Sequence, residues 1–521
     1  MAFPKRPYIQ DPVPNDPIAN VPEQYTMKGP YWDVLIGDGL EVNADGTLTC
    51  PIGSGTGSDA TVLAGAWWPM DIGDGLTINE DGQLAFSGSQ YIYCTPQFVD
   101  QPVEYPPYGC NVEVNTTGVT DFSYAWGGCN FLTEFPCVNT SSGTNFSSAW
   151  NSCFSLTSFP LLDVSKGTNF TNAWNSCQSL TSFPLLNFSS GTNFSYAWRS
   201  CSSLTSLPLL DVSSGTNFAY MCAFCESLTS FPQFNVSNGI NFHNAWNGCY
   251  SLTSFPLLDV SNGNNFSYAW SGCSNLTSFP LLDVGNGTDL AYAWSYCYGL
   301  TSFPSLDVSS GTNFAYAWSN CSSLTSFPLL DVSSGTNFTG AWSNCSGLTS
   351  FPLLDVSNGT NFTGAWASCG LTSFPLLDVS NGADFSAAWM FCSGLTSFPL
   401  LDVSSGSSFR LAWLGCSGLT SFPLLDVSNG TNFSQAWQDC INLTSFPSGM
   451  FDTCAATNFY SAWYYCALDQ TSVDNILVSL DTAGQSNGVV NLNGGTSSAP
   501  GPAGLAAKAN LIARGWTVYT N

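Results

Sequence analysis

Few side chains in this 521-residue sequence are equipped for chemistry, and most of those fall into columns. His243 is the single histidine. A Ser-His-Asp or Cys-His catalytic arrangement would have to use it, and the sequence places no nucleophile beside it. It stands where neighbouring copies of a repeated stretch carry Ser or Thr, so it reads as a surface substitution. Cys222 and Cys225 form a Cys-x-x-Cys, a spacing shared by redox and zinc sites. Cys222, however, replaces a Trp of the repeat, and Cys225 belongs to a regular cysteine column, so the pair reads as a core substitution. The acidic column carries more chemistry: Asp163, Asp211, Asp259, Asp283, Asp307, Asp331, Asp355, Asp378, Asp402 and Asp426, with Asn187 and Asn235 standing in twice. Carboxylates stacked about 5 Å apart repel unless they are solvated, hydrogen-bonded or bridged by a cation. Two readings follow: Asx-type turns, which the Asn replacements favour, or calcium along the column. A further column holds Tyr196, Tyr220, Tyr268, Tyr292 and Tyr316, then Gly340 and Gly364; Phe154, Tyr250, Tyr296 and Tyr298 lie beside the cysteines. Exposed aromatic faces stack on sugars and phenol hydroxyls make polar contacts. These nine aromatic residues are the candidate ligand contacts, with packing of a tyrosine ladder between turns as the alternative. No column specifies a catalytic, cofactor or metal site, and the chain is expected not to be an enzyme.

The columns exist because one stretch of about 24 residues recurs head to tail, as in Leu156 to Ser179. Its cysteine appears 15 times, from Cys129 to Cys466, stepping by 24 residues except for 23 between Cys369 and Cys392 and 26 between Cys440 and Cys466. A fixed period of this length is the signature of a solenoid. Leu156, Phe159 and Leu161 have the spacing of a short strand with its apolar side inward. Pro160 must then sit where no ladder N–H is needed, or the strand begins after it. Asp163 to Gly167 turns the chain. Thr168 or Asn169 is placed to cap a helix, and Phe170, Ala173, Trp174 and Cys177 fall on one face of a two-turn helix.

The run Ala173-Trp174-x-x-Cys177-x-x-Leu180-Thr-Ser-Phe-Pro-Leu resembles BspA-like leucine-rich repeats, with Trp where Phe is more usual. The resemblance covers about two thirds of the chain. It implies an α/β repeat solenoid with a short strand and a short helix per turn, a rod roughly 70–75 Å long at the strand spacing.

Only 8% of residues are charged, and the net charge is −27. Between Lys28 and Lys508 the only cations are Lys166, Arg199 and Arg410. Phosphate backbones and anionic membrane surfaces need clustered cations, so neither nucleic acid nor membrane is an expected partner. Residues 1–30 show no secretory h-region, and no run of about 18 apolar residues suggests membrane insertion. Twenty-one cysteines with one repeated position suit a chain made in a reducing cytosol. Asn-x-Ser/Thr sequons such as Asn169-Phe-Thr171 follow from the repeat and are not read as glycosylation.

The flanks differ from the repeat. Residues 1–35 are rich in Pro and read as an extended strap. Residues 36–90 contain Ile36-Gly-Asp-Gly-Leu40 and Ile72-Gly-Asp-Gly-Leu76, each leading through an Asp-Gly turn into a second short strand. This pattern is similar to the repeats of trimeric viral fibre shafts, which implies a homotrimer through this segment. Residues 91–111, with Cys94 and Cys110, read as a connector, 112–469 as the solenoid, and 470–521 as a C-terminal cap. In the cap, Ser472 is placed to start a helix to Leu480, Ala503–Arg514 reads as a second helix closed by Gly515, and Trp516–Tyr519 as a strand.

Together the resemblances imply a bacteriophage structural protein, a tail fibre or receptor-binding adhesin, made in the host cytoplasm and acting outside the cell on the virion. The strap would attach to a virion protein and the solenoid would meet a host surface glycan or protein. The alternatives are a capsid decoration or head fibre and a bacterial BspA-like surface adhesin. A glycan-degrading enzyme would need paired carboxylates in a cleft, and no motif supplies them.

Overall fold

A computed structural model describes residues 25–29, 32–36, 41–42, 48–49, 76–78, 84–86, 116–135 and 138–521. The chain divides into two units, one holding residues 1–87 and 103–114, the other the remainder. In the first, β1 (Tyr25–Gly29) pairs antiparallel with β2 (Trp32–Ile36), β3 (Glu41–Val42) with β4 (Leu48–Thr49), and β5 (Leu76–Ile78) with β6 (Leu84–Phe86). The last two pairs belong to the two Gly-Asp-Gly-Leu motifs. The first pair corrects the extended strap over its final third, because Tyr25 to Ile36 folds back on itself rather than running on. The rest of the strap, the 91–111 connector and Cys94, Cys110 and Cys137 lie outside the described residues.

In the second unit the repeats stack. Parallel bridges run without a gap from Asp121 through Asn145, Asn169 and Asn193 to Asn458, one residue per turn. The side chains follow the backbone: Asn169 Nδ2 donates to Asn145 Oδ1 at 3.1 Å, and Asn145 Nδ2 to Asp121 Oδ1 at 3.0 Å. Threonine hydroxyls form two further ladders, Thr168 Oγ1 to Thr144 O at 3.2 Å and Thr157 Oγ1 to Thr133 O at 3.0 Å.

The stretch expected to be a two-turn helix is not helical. Asn172 and Ser176 have φ of 56° and 63°, and the same two columns are left-handed in turn after turn. A left-handed residue at every fourth position stops a right-handed helix before it starts. The backbone forms overlapping β-turns instead, with Ala173 N donating to Phe170 O, Asn175 N to Asn172 O and Cys177 N to Trp174 O. The intervening N–H groups reach the next turn: Phe170 to Asn193 O, Asn172 to Ser195 O, Trp174 to Ala197 O and Ser176 to Arg199 O, all at 2.7–2.9 Å. In this turn even-numbered donors thus join it to the next and odd-numbered donors shape it. That pattern satisfies the buried backbone without helix or continuous strand. The fold is a repeat solenoid, but the short helix per turn is overturned, and the regular strand is reduced to bridges.

The inward strand pattern also shifts by one residue. Leu162 and Val164 are buried, while Leu161 is 73% exposed. Among the described residues, no backbone bond joins Pro160 to Val164 of one turn with those of the next. Pro160 therefore removes no ladder bond, which is why proline can recur there.

Leu156, Phe159, Leu162, Val164, Phe170, Ala173, Trp174 and Cys177 build the core. Trp150 stacks on Trp174 with centroids 5.1 Å apart, Phe146 on Phe170 at 5.4 Å, and Phe183 stands perpendicular to Trp174 at 4.9 Å. Offset stacks and edge-to-face pairs are the favoured aromatic geometries. From Cys153 to Cys466 each column thiol reaches back one turn, as Cys177 Sγ does to Trp150 O at 3.2 Å. Burial pushes the Cys177 thiol up, and those of Cys273 and Cys345 up to about 12. These thiols pack rather than react. One layer departs from the pattern. Leu207 replaces Phe, Met221 replaces Ala and Cys222 replaces Trp, all buried. The long thioether side chain supplies volume where the indole is missing.

The C-terminal end closes the stack. β7 (Asn458–Phe459) pairs in parallel with β8 (Val489–Asn491), and β8 with β9 (Thr517–Tyr519), continuing the direction of the Asn ladder. Between them lie α1 (Gln470–Thr482) and α2 (Pro502–Ala513). Asp469, not Ser472, caps α1, accepting from Ser472 N at 2.7 Å. The Ser472 hydroxyl is used elsewhere, accepting from Phe446 N and donating to Thr444 O. Gly515 follows α2 with φ 85°, and Trp516 stacks on Phe459 at 6.2 Å, ending the phenylalanine column.

Candidate functional site

The left-handed column that breaks the helix also places the tyrosines. Tyr196, Tyr220, Tyr268, Tyr292 and Tyr316 have φ of 54–60°. A bulky residue there costs about 1–2 kcal/mol, offset in this rod by backbone bonds such as Tyr196 N to Ala219 O and Tyr268 N to Ala291 O. The side chains emerge half-buried and stack. Centroids are 4.4 Å apart for Tyr196–Tyr220, 4.3 Å for Tyr268–Tyr292 and 4.7 Å for Tyr292–Tyr316.

Asn244 interrupts the column between Tyr220 and Tyr268, and the neighbouring His243 fills the gap. Its ring stands perpendicular to Tyr220 at 5.1 Å and to Tyr268 at 6.1 Å. Nε2 lies 3.2 Å from the Tyr220 hydroxyl and 2.8 Å from Asn244 Nδ2, and Nδ1 lies 2.6 Å from Ser267 Oγ. Burial lowers the imidazole pKa. His243 is therefore not a surface substitution. It joins two tyrosine stacks into one strip of six rings. Burial first, then neighbouring phenols, push Tyr292 up to about 12, so its hydroxyl stays protonated at neutral pH.

Stacking changes what the five tyrosines can offer. Inside a stack each ring face is covered by the next. The Arg199 guanidinium lies 5.9 Å from the Tyr196 centroid and 5.6 Å from that of Phe224. At the far end, Gly340 leaves room for Tyr316, since a Cβ there would come within 2.3 Å of the ring. The column presents ring edges and hydroxyls to solvent, not the open faces expected from the sequence. Open aromatic surface is supplied by the other four candidates. Phe154, Tyr250, Tyr296 and Tyr298 are 38–45% exposed, and Tyr296 and Tyr298 meet at 6.1 Å. Phe154 is placed two turns before Tyr196 and stands apart. Arg199, Phe224 and His243 are the members that sequence reasoning missed. Their signal was the coincidence of an uncommon cation, an uncommon histidine and the tyrosine-to-asparagine change at Asn244, all in adjacent turns.

The Asp column takes the form of Asx turns. Asp163 Oδ1 accepts from Ser165 N at 3.1 Å and Ser165 Oγ at 2.7 Å, and Asp307 and Asp331 repeat the pattern with their own serines. Those hydrogen bonds hold the three carboxyls below their usual range. Among the described residues no group of three His, Cys, Asp or Glu is placed around a common point, and no helix is long and apolar enough to cross a membrane. Cys222 and Cys454 are buried thiols.

No protein-family model matches the chain, and no curated protein matches it. Among solved structures it is similar to the functional domain of InlJ from Listeria monocytogenes, described as including a cysteine ladder, at 14% identity over 73% of this chain and 73% of that one, with a TM-score of 0.18. It is also similar to TLR13 in complex with ssRNA13, at 12% identity over 71% of this chain and 60% of that one, with a TM-score of 0.20. A third is the plant peptide hormone receptor RGFR1 in complex with RGF2, at 10% identity over 86% and 91%, with a TM-score of 0.15. Superposition at these scores is too loose to transfer anything, and the fold rests on the ladders described above.

Proposed function

We propose that the chain is a non-enzymatic adhesive rod of leucine-rich-repeat type, the tail fibre or receptor-binding protein of a bacteriophage. In this reading residues 36–90 trimerise, the N-terminal segment attaches to a virion protein, and the solenoid meets a surface glycan or protein of the host outside the cell. One observation carries it. Irregular aromatic and cationic residues gather within a few turns, from Tyr196 to Tyr316, on a rod whose other columns hardly change. A uniform ladder carries shape, and a local cluster of aromatic rings, hydroxyls and one guanidinium carries an address. The chemistry suits sugar rings against Tyr250, Tyr296 and Tyr298, with hydroxyl contacts along the strip. Three rods side by side would multiply a weak contact.

The test is binding of the full-length chain to an array of immobilised bacterial surface polysaccharides. The expected result is a subset of bound glycans, with Tyr250→Ser/Tyr296→Ser/Tyr298→Ser weakening binding at least tenfold. These side chains are exposed, so the variant should keep its fold, checked by circular dichroism. Equal binding by the folded variant would remove these exposed aromatic side chains from recognition.

A further inference from the structure

The longest exposed apolar feature among the described residues is a leucine ridge, not the aromatic strip. Ten leucines of one column, from Leu161 to Leu424, are 53–73% exposed. Backbone alternation puts them there: Leu161 points out, Leu162 in, Asp163 out and Val164 in. The ridge therefore runs beside the acidic ladder, with the exposed Thr157 and Ser158 on its other flank. Only Gln233 and Ser305 interrupt it between Leu161 and Leu424. Exposed apolar patches of this extent mark interaction surfaces.

We propose that two copies of this chain pair along this ridge, rods parallel and in register, about a two-fold axis running along the rod. Three observations select a second copy. The first is period. Leucines repeat once per turn, beside buried phenylalanines that stack 5.7–6.3 Å apart, and a second copy has the same period by construction, so every leucine meets a leucine. The second is area. Eleven steps of about 6 Å and a width of five extended residues, about 17 Å, give a face on the order of 1,100 Å², above the ~800 Å² per partner of a stable interface. The third is the placing of polar groups. In-register pairing sets Gln233 against Gln233 and Ser305 against Ser305, so no leucine is left facing a polar partner.

Charge then decides the direction. If the rods ran antiparallel, the acidic ladders would face each other, carboxylate against carboxylate. The two-fold along the rod instead carries each Asp ladder over the Ser158 and Pro160 side of the other copy, where hydroxyls can donate. Because both copies are strongly acidic, pairing should strengthen as salt screens them. A cationic partner on the same face would weaken with salt. The inference is independent of the glycan reading, since it uses a different column.

The experiment is sedimentation and light scattering of the full-length chain beside Leu281→Ser/Leu329→Ser/Leu353→Ser, whose exposed substitutions should leave the circular dichroism unchanged. The expected result is an even-numbered assembly for the parent that grows with salt, and half that mass for the variant. Leu400→Cys adds the geometry. A bis-maleimide spanning about 8 Å should join the introduced thiols of the two copies, because facing sheets sit about 10 Å apart. In an antiparallel pair that also matched Gln233 to Ser305, the two thiols would lie tens of ångströms apart. A parent that stays monomeric, a mass that ridge variants leave unchanged (including a threefold mass set by residues 36–90), or no cross-linked dimer of Leu400→Cys beyond that of the parent would overturn the proposal.

Discussion

Replacing Trp318 by alanine is expected to destabilise the solenoid by about 3–5 kcal/mol. Trp318 is fully buried, stacks on Trp294 at 5.5 Å and on Trp342 at 5.6 Å, and holds Phe327 perpendicular at 5.0 Å. Alanine would leave a cavity bordered by rings that are themselves pinned by the turns above and below, so the site cannot collapse. The molecule also contains a natural comparison. Where Cys222 replaces the indole, Met221 replaces the preceding alanine, and both are buried. Trp318→Cys together with Ala317→Met should therefore recover part of the loss. Urea denaturation followed by circular dichroism would measure both. A loss under about 1 kcal/mol for Trp318→Ala would mean that the indole column does not hold the turns together.

The second large effect is expected at a glycine whose backbone is ordinary. Gly335 does not have a positive φ, yet a Cβ there would meet Phe338 Cζ at 2.4 Å, Val332 O at 2.9 Å and Phe314 at 3.0 Å. The same close approach recurs at Gly167, Gly215 and Gly359. Glycine is required in this column because two phenylalanines of the stack lie against it, and one is locked between its neighbours. Gly335→Ala should cost about 1–3 kcal/mol through overpacking. Gly364 is the control. It has φ 61° but nothing within 4 Å, so Gly364→Ala should cost only the backbone penalty, about 1–2 kcal/mol, and leave the ring stack untouched. Thermal melts compare the two, with the near-ultraviolet dichroism of the aromatic stack as a second readout. An undisturbed aromatic signal in Gly335→Ala would contradict the ring-contact explanation.

The period, the stacking and the buried Trp and Cys columns were legible because any repeat must place equal residues in equal surroundings. The local backbone was not. Phe170, Ala173, Trp174 and Cys177 have helical spacing, but two-residue turn steps put Phe170, Trp174 and their column mates on the same inner side. Glycine at Gly128, Gly248, Gly272, Gly340 and Gly364, all with positive φ, was the available sign that these columns are left-handed. Hydrophobicity alone points Leu161 inward, as it does most leucines. Burial of Leu162 and Val164 forces Leu161 and Asp163 outward by alternation, a choice of register that composition leaves open. At the candidate site the tyrosines were legible as a column. That they stack on each other, and that His243 bridges their gap, depends on the distance between turns, which no single repeat contains.

Residue-resolved hydroxyl-radical footprinting of the full-length chain most directly tests the division between a buried aromatic spine and exposed irregular columns. Tyr250, Tyr296 and Tyr298 are expected to oxidise fast in the native protein, while Trp150 to Trp437 stay protected until the rod unfolds. Native oxidation of the tryptophan column at the rate of those tyrosines would contradict the account, because it would place the spine on the surface.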